Sequence, residues 1–199
     1  MGIHQFEVWE VLVYKYKKVY DEITSMGQNS QLYTVRANGM YGIVDENGKI
    51  IIYPEYDQIG IDVSSFSYNG VKNGYILLNT LIPVKKNGMW AFFSKTGERI
   101  SNGFKYSNIG CSNVGRANNV YPLLQIPDYN VIVVSDEYGK YAFMDTTGND
   151  SILNFLFNFL FDQVYIKISE GQESYCMTFR DNEYEVLKYL KQTEERINK

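Results

Sequence analysis

The chain has 199 residues with 19 Lys+Arg against 23 Asp+Glu, a formal net charge of −4, one His and two Cys. At that length and 45% hydrophobic content it can bury a core without disulfides or metal, so disorder over most of the chain is excluded. An acidic balance with scattered lysines gives no footprint for a phosphate backbone; nucleic acid is not an expected ligand, and a basic protein partner is favoured by charge steering.

From the amino terminus, Met1 to Glu10 lack the basic segment, apolar run and small-residue cleavage site of a secretory signal, and a cytoplasmic protein is expected. Phe6 stands where a myristoylation signal needs Ser or Thr. Phe6, Trp9, Leu12, Val13, Tyr16, Val19, Tyr20 and Ile23 recur at three- and four-residue steps opposite Glu7, Glu10, Lys17, Lys18, Asp21 and Glu22. That period predicts a helix from Phe6 to Met26, stopped by Gly27, although the Val and Tyr content also tolerates a strand.

Three segments then repeat. The first runs Val35-Arg36-Ala37-Asn38-Gly39-Met40-Tyr41-Gly42-Ile43-Val44-Asp45 to Gly48 and ends Tyr56-Asp57-Gln58-Ile59. The second runs Val84-Lys85-Lys86-Asn87-Gly88-Met89-Trp90-Ala91-Phe92-Phe93-Ser94 to Gly97 and ends Tyr106-Ser107-Asn108-Ile109. The third runs Val134-Ser135-Asp136-Glu137-Tyr138-Gly139-Lys140-Tyr141-Ala142-Phe143-Met144-Asp145 to Gly148, with Phe161-Asp162-Gln163-Val164 after an insertion. Gly39, Gly88 and Gly139 are separated by 49 and 51 positions, and each has a second glycine nine residues on. Asn-Gly and similar pairs make tight turns between twisted strands, so each unit predicts hairpins. On the strand between the turns, Tyr41 and Ile43, Trp90 and Phe92, or Tyr141 and Phe143 share one face, and small Gly42, Ala91 or Ala142 marks the other. A ring followed by a small residue predicts a filled core on one side and a close neighbouring layer on the other. Asp45, Ser94 and Asp145 precede the second turn and are expected to bond its backbone.

The run aromatic-Gly-Ile-Val-Asp-x-x-Gly-Lys-Ile-Ile-Ile-x-Pro-x-Tyr-Asp, from Tyr41-Gly42 to Asp57, resembles the WG-repeat family. Unit two keeps Trp90 but has Ala91 and Ser94 for the Gly and Asp; unit three keeps Tyr141, Asp145 and Gly148. The resemblance implies degenerate repeats, a β-repeat fold and a binding or scaffold role. The resulting expectation is a mainly β chain: an N-terminal helical cap over 1–30, three repeats of about 50 residues over 31–80, 81–130 and 131–180, and a C-terminal helix over 181–199, as one folded unit. Val186, Leu187, Leu190 and Ile197 supply the apolar stripe of that last helix. The flanking helices either cap the array or bind a partner.

Catalytic constellations are scarce. A Ser-His or Cys-His relay would rest on His4 alone, and Cys111 and Cys176, 65 positions apart, match no zinc or redox spacing. Adjacent acids such as Asp45/Glu46, Asp136/Glu137 and Glu194/Glu195 suit solvated turns or surfaces. No glycine-rich phosphate loop is present, and Ser151 to Phe161 is too short for a bilayer, which needs about 20 apolar residues. No catalytic, cofactor or metal residue is therefore assigned, and membrane binding is not expected. Binding is assigned to loop aromatics and acids: Phe66, Tyr68 and Asp62 in one loop, Tyr121, Tyr129 and Asp128 in another, where the rings either recognise a partner or cover repeat edges. The functional expectation is a non-enzymatic protein-binding module, an immunity-type protein neutralising a basic, nuclease-like toxin domain, and acting as monomer or homodimer. A structural scaffold repeat binding peptides or surfaces is the alternative.

Overall fold

The computed structural model describes residues 19–26, 31–62, 78, 80–112, 114, 118–145 and 160–188. Its strands are β1 (Glu22–Ser25), β2 (Leu32–Ala37), β3 (Met40–Asp45), β4 (Ile50–Tyr56), β5 (Gln58–Ile59), β6 (Ile82–Lys86), β7 (Met89–Phe93), β8 (Asn108–Ile109), β9 (Val120–Pro122), β10 (Gln125–Ile126), β11 (Val131–Ser135), β12 (Tyr141–Asp145), β13 (Gln163–Ser169), β14 (Gln172–Phe179) and β15 (Asn182–Glu185). They pair as β1-β2-β3-β4, β5-β6-β7, β10-β11-β12 with β8 also on β11, and β15-β14-β13-β9. The chain gathers into two compact units, one of residues 1–62 and 73–104, the other of 63–72 and 105–199.

One module is built four times. A tail of four residues lies antiparallel to the first strand of the hairpin that follows it. The tails are Tyr20-Asp21-Glu22-Ile23, Tyr56-Asp57-Gln58-Ile59, Tyr106-Ser107-Asn108-Ile109 and Phe161-Asp162-Gln163-Val164. In each, the second residue's N–H donates to a hairpin carbonyl: Asp21 to Arg36 at 2.7 Å, Asp57 to Lys85 at 2.9 Å, Ser107 to Ser135 at 2.9 Å and Asp162 to Thr178 at 2.8 Å. The third residue then faces that same hairpin residue, and the fourth faces Val35, Val84, Val134 or Met177. The hairpins are β2–β3, β6–β7, β11–β12 and β14–β15. Unit one holds the first two modules and unit two the last two.

The turns follow from their residues. Asn38-Gly39 and Asn87-Gly88 close two-residue turns with all four φ between 52° and 81°, the mirror-image turn that suits twisted strands. Arg180-Asp181 makes the same turn at φ 49° and 64° with less favourable residues. The third hairpin instead has a five-residue loop, in which Asp136 Oδ1 accepts from the N–H groups of Tyr138 (3.0 Å) and Lys140 (2.9 Å). Asp45 does the same for Asn47 and Lys49 at 2.9 Å each, and Ser94 Oγ for Thr96 and Glu98 at 3.2 Å each. The acid-before-turn expectation therefore holds at Asp45 and, through its hydroxyl, at Ser94; the turn after Asp145 lies outside the described residues.

Aromatic-small alternation organises the core of unit one. Ile43, beside Tyr41 on the same face, packs with Ile52, Tyr56 and Ile59 against Ile82, Val84, Ala91 and Phe93. The ring-bearing face of the first module thus meets the small-residue face of the second. Behind Gly42 the backbone of β4 comes so close that a Cβ would lie 2.6 Å from the Ile52 oxygen and 2.7 Å from the Pro54 nitrogen. The other face of the first hairpin buries Val35 and Val44 with Tyr20 and Tyr33.

Three expectations are corrected. The helix from Phe6 to Met26 does not extend through its last turn: Glu22–Ser25 is β1, in register with β2, because Ile23 gains an apolar bed on Tyr20, Tyr33 and Val35 that a helix would forgo. Residues 6–18 lie outside the described residues. The helix over 181–199 is replaced at its start by the turn residue Asp181 and by β15; residues 186–188 are helical, and 189–199 lie outside the described residues. The three-unit array becomes four hairpin modules: the later residues of each tail pair with the hairpin after it, while Tyr56 and Phe161, which begin the second and fourth tails, also pair with the hairpin before.

Asp57 and Asp162 also tie each tail to the tip of its hairpin: Asp57 Oδ2 accepts the Asn87 N–H at 2.6 Å and Asp162 Oδ2 the Arg180 N–H at 3.0 Å. Replacing Asp57 by Ala should cost about 1 kcal/mol, read as a lower urea midpoint for unit one with an unchanged slope.

Candidate binding face

The sheet β15-β14-β13-β9 belongs wholly to unit two. Residues 163–185 carry Glu170, Glu173, Asp181, Glu183 and Glu185 against Lys167 and Arg180, a balance of 2 − 5 = −3 within a chain of −4. Opposed residues of antiparallel strands share a face. Tyr121, Ile166 and Tyr175 therefore stand side by side across β9, β13 and β14, with Ile168 and Glu173 one row along. Tyr184 shares the face through Met177 and is 40% exposed, while Ile166, Met177 and Val164 on the same face are buried. Tyr121 and Tyr175 are half-buried. Burial first, then the carboxylates of Glu173 and Asp128, push the Tyr175 phenol up, so it stays a neutral hydroxyl.

On the opposite face Glu183 is the hub. It accepts the Tyr165 hydroxyl at 2.5 Å and the Lys167 ammonium at 2.9 and 3.3 Å. These bonds, Tyr165's first, hold the Glu183 carboxyl below the usual range, and burial with Glu183 pushes the Tyr165 phenol up. Beside them burial raises the Cys176 thiol to about 11, so it is protonated near neutrality and a poor nucleophile. Cys111 is also a buried free thiol. Among the described residues no three His, Cys, Asp or Glu side chains converge to hold a metal ion, and no helix is long and apolar enough to cross a membrane.

The expected site residues separate. Tyr121 lies in β9 and Asp128 and Tyr129 in a 3-10 turn, Pro127–Tyr129, of the same unit; Asp128 is exposed and shares the Tyr175 neighbourhood. Asp62 is exposed in unit one. Phe66 and Tyr68 lie outside the described residues. Sequence reasoning missed Glu173, Tyr175, Glu183, Tyr184 and Glu185. Their alternation in Gln172–Phe179 and Asn182–Glu185 was a strand signal, obscured by the apolar stripe that begins at Val186.

In the fourth module Glu183-Tyr184 occupies the place of Tyr41-Gly42 and Trp90-Ala91, two and three residues after the turn, and of Tyr141-Ala142, the first two residues after the five-residue loop. A large residue at the small position excludes a backbone approach as close as the one behind Gly42. Asp162 joins this module to the third: Lys140 bonds its carboxylate, and that contact, then the Arg180 N–H, holds its pKa below the ordinary aspartate range. A depressed carboxyl pKa contributes stability above its unfolded value that is lost as pH falls through the folded one. Unit two should therefore lose stability below about pH 4, and Asp162→Asn should flatten that slope in an acid titration followed by tyrosine fluorescence.

The fold and this face define a β-hairpin repeat protein with an acidic, tyrosine-bearing terminal module. Residues 41–90 match the family model of the WG containing repeat, so that stretch is similar to the repeat unit of that family. The match runs from Tyr41 in β3 to Trp90 in β7, from one aromatic position to the next. No curated protein and no solved structure matches the chain.

Proposed function

We propose that the chain is a non-enzymatic protein-binding module of the immunity type, which captures a basic toxin domain on the sheet β15-β14-β13-β9. The observation that carries this reading is Tyr175 flanked by the carboxylates of Glu173 and Asp128 beside Tyr121, on a sheet whose strands and turns over residues 163–185 carry a balance of −3. Tyrosines supply rigid contact area with a hydroxyl to orient it, and a one-sign field speeds encounter with the opposite charge. The Cys176 thiol is protonated and the Glu183 carboxylate is engaged by Tyr165 and Lys167, which favours binding over catalysis.

The test is calorimetric titration of the chain with a basic toxin domain encoded beside it, at low and at moderate salt. A one-to-one complex surviving moderate salt is expected. Asp128→Lys with Glu173→Lys should weaken it at least tenfold by placing two repulsive charges beside Tyr175, whereas absence of any complex overturns the reading.

A further inference from the structure

The four modules share a geometry that, among the described residues, leaves the outer edge of one of them without a paired strand. In a two-residue hairpin the pair flanking the turn exchanges backbone hydrogen bonds, and the next residue points its N–H and C=O away from its partner strand. On the second strand of the first hairpin that outward residue is Tyr41, and β4 covers it with the pairs Tyr41↔Tyr56 and Ile43↔Ile52. On β7 it includes Phe92, whose N–H donates to Ser101 Oγ at 2.9 Å and whose carbonyl accepts from Ile100 at 2.9 Å. On β12 it is Tyr141, which exchanges bonds with Phe161 at 2.8 and 3.3 Å. Each of these edges is closed by the chain that follows its own turn. On β15 the outward residues are Glu183 and Glu185, because Phe179↔Asn182 closes the turn. Among the described residues no strand pairs with that edge; β15 is exposed at all four positions, and the chain turns helical at 186–188.

We infer that the outer edge of β15 accepts an extended, lysine- or arginine-bearing segment of a partner protein as an added antiparallel strand. Backbone pairing to Glu183 and Glu185 would supply the groups that the other three modules find within the chain, which is the strand-addition mode of recognition. The side chains set the partner's chemistry. Glu183 and Glu185 share one face, where Lys167 already meets Glu183 and Glu185 calls for a cation opposite it, and Tyr184 on the other face takes an apolar residue. A second copy of this chain is disfavoured, since antiparallel β15 on β15 sets Glu183 and Glu185 against one another, and like charges directly opposite destabilise a ladder. This inference rests on the protein-binding reading and adds its backbone mode and partner motif.

The probe is the peptide Lys-Val-Lys-Thr-Lys-Val-Lys, with Glu-Val-Glu-Thr-Glu-Val-Glu as control, titrated against the full chain by calorimetry and backbone amide exchange. The lysine peptide is expected to bind at least tenfold more tightly than the glutamate peptide and to slow exchange at the Glu183 and Glu185 amides. Glu185→Pro removes an outward N–H while sparing the inward bonds of Asn182 and Tyr184 to β14, and should weaken binding at least tenfold. Unchanged β13 and β14 amide protection certifies that this variant is folded, and Glu185→Lys should give the same loss with every N–H intact.

No binding by the lysine peptide, equal binding by the two peptides, or unaltered binding by both variants overturns the inference. So does a wild-type dimer in sedimentation that Glu185→Pro dissociates. If the peptide fails while a toxin domain still binds and protects Tyr121 and Tyr175, the strand-addition mode falls and the binding-module reading stands; if both fail, both fall.

Discussion

Replacing Gly97 by alanine is expected to destabilise unit one by about 3 kcal/mol or more, lowering its melting temperature by upwards of about 12 °C. Gly97 closes the turn that Ser94 caps, at φ +86°, and a Cβ there would lie 2.1 Å from the Ile51 oxygen in β4. Two costs act together. An L side chain is strained at that φ, and the nearest atom is backbone, so relief requires β4 to move. The control is Gly39→Ala at φ +80° with nothing within 4 Å of the new Cβ, which should lose only about 1 kcal/mol. Thermal and urea unfolding of both variants checks the difference; equal losses would mean that β4 does not approach the second turn as described.

Truncating Phe143 to alanine should cost unit two about 3–5 kcal/mol. The ring is 1% exposed, on β12 opposite Val133, and meets Phe161 at 5.8 Å between centroids. Phe161 begins the fourth tail and bridges to Tyr141, so the cavity opens where the third module hands over to the fourth. Amide exchange locates the damage: faster exchange at the Tyr141, Asp162 and Ile168 amides, with β2 and β3 unchanged, is the expected pattern. Uniform acceleration through both units would show that they unfold as one.

Hairpins one and two were legible because Asn38-Gly39 and Asn87-Gly88 force the turn and the aromatic-small pairs mark the strand between turns. Module four was not, because Arg180-Asp181 reaches positive φ without a glycine and Glu183-Tyr184 erases the aromatic-small signature. The first tail was hidden by spacing: Val19, Tyr20 and Ile23 satisfy a helical period, yet Ile23 pairs with Val35 in a ladder that only tertiary context reveals. Tail-to-next-hairpin pairing is likewise nonlocal, and local patterns fix strands more readily than their partners. At the site, Tyr121 and Asp128 stood out as an aromatic and an acid in a long loop. Their partner Tyr175 is distant in sequence and becomes a neighbour through the Ile166 register.

The most direct test of the account is an amide-exchange footprint of the full chain with the partner proposed for it, a basic toxin domain. Protection is predicted at β13, β14 and β15 and at Tyr121, with the turns after Asp45 and Ser94 unaffected. A footprint confined to unit one, or spread evenly over both units, would contradict the assignment of binding to the acidic terminal module.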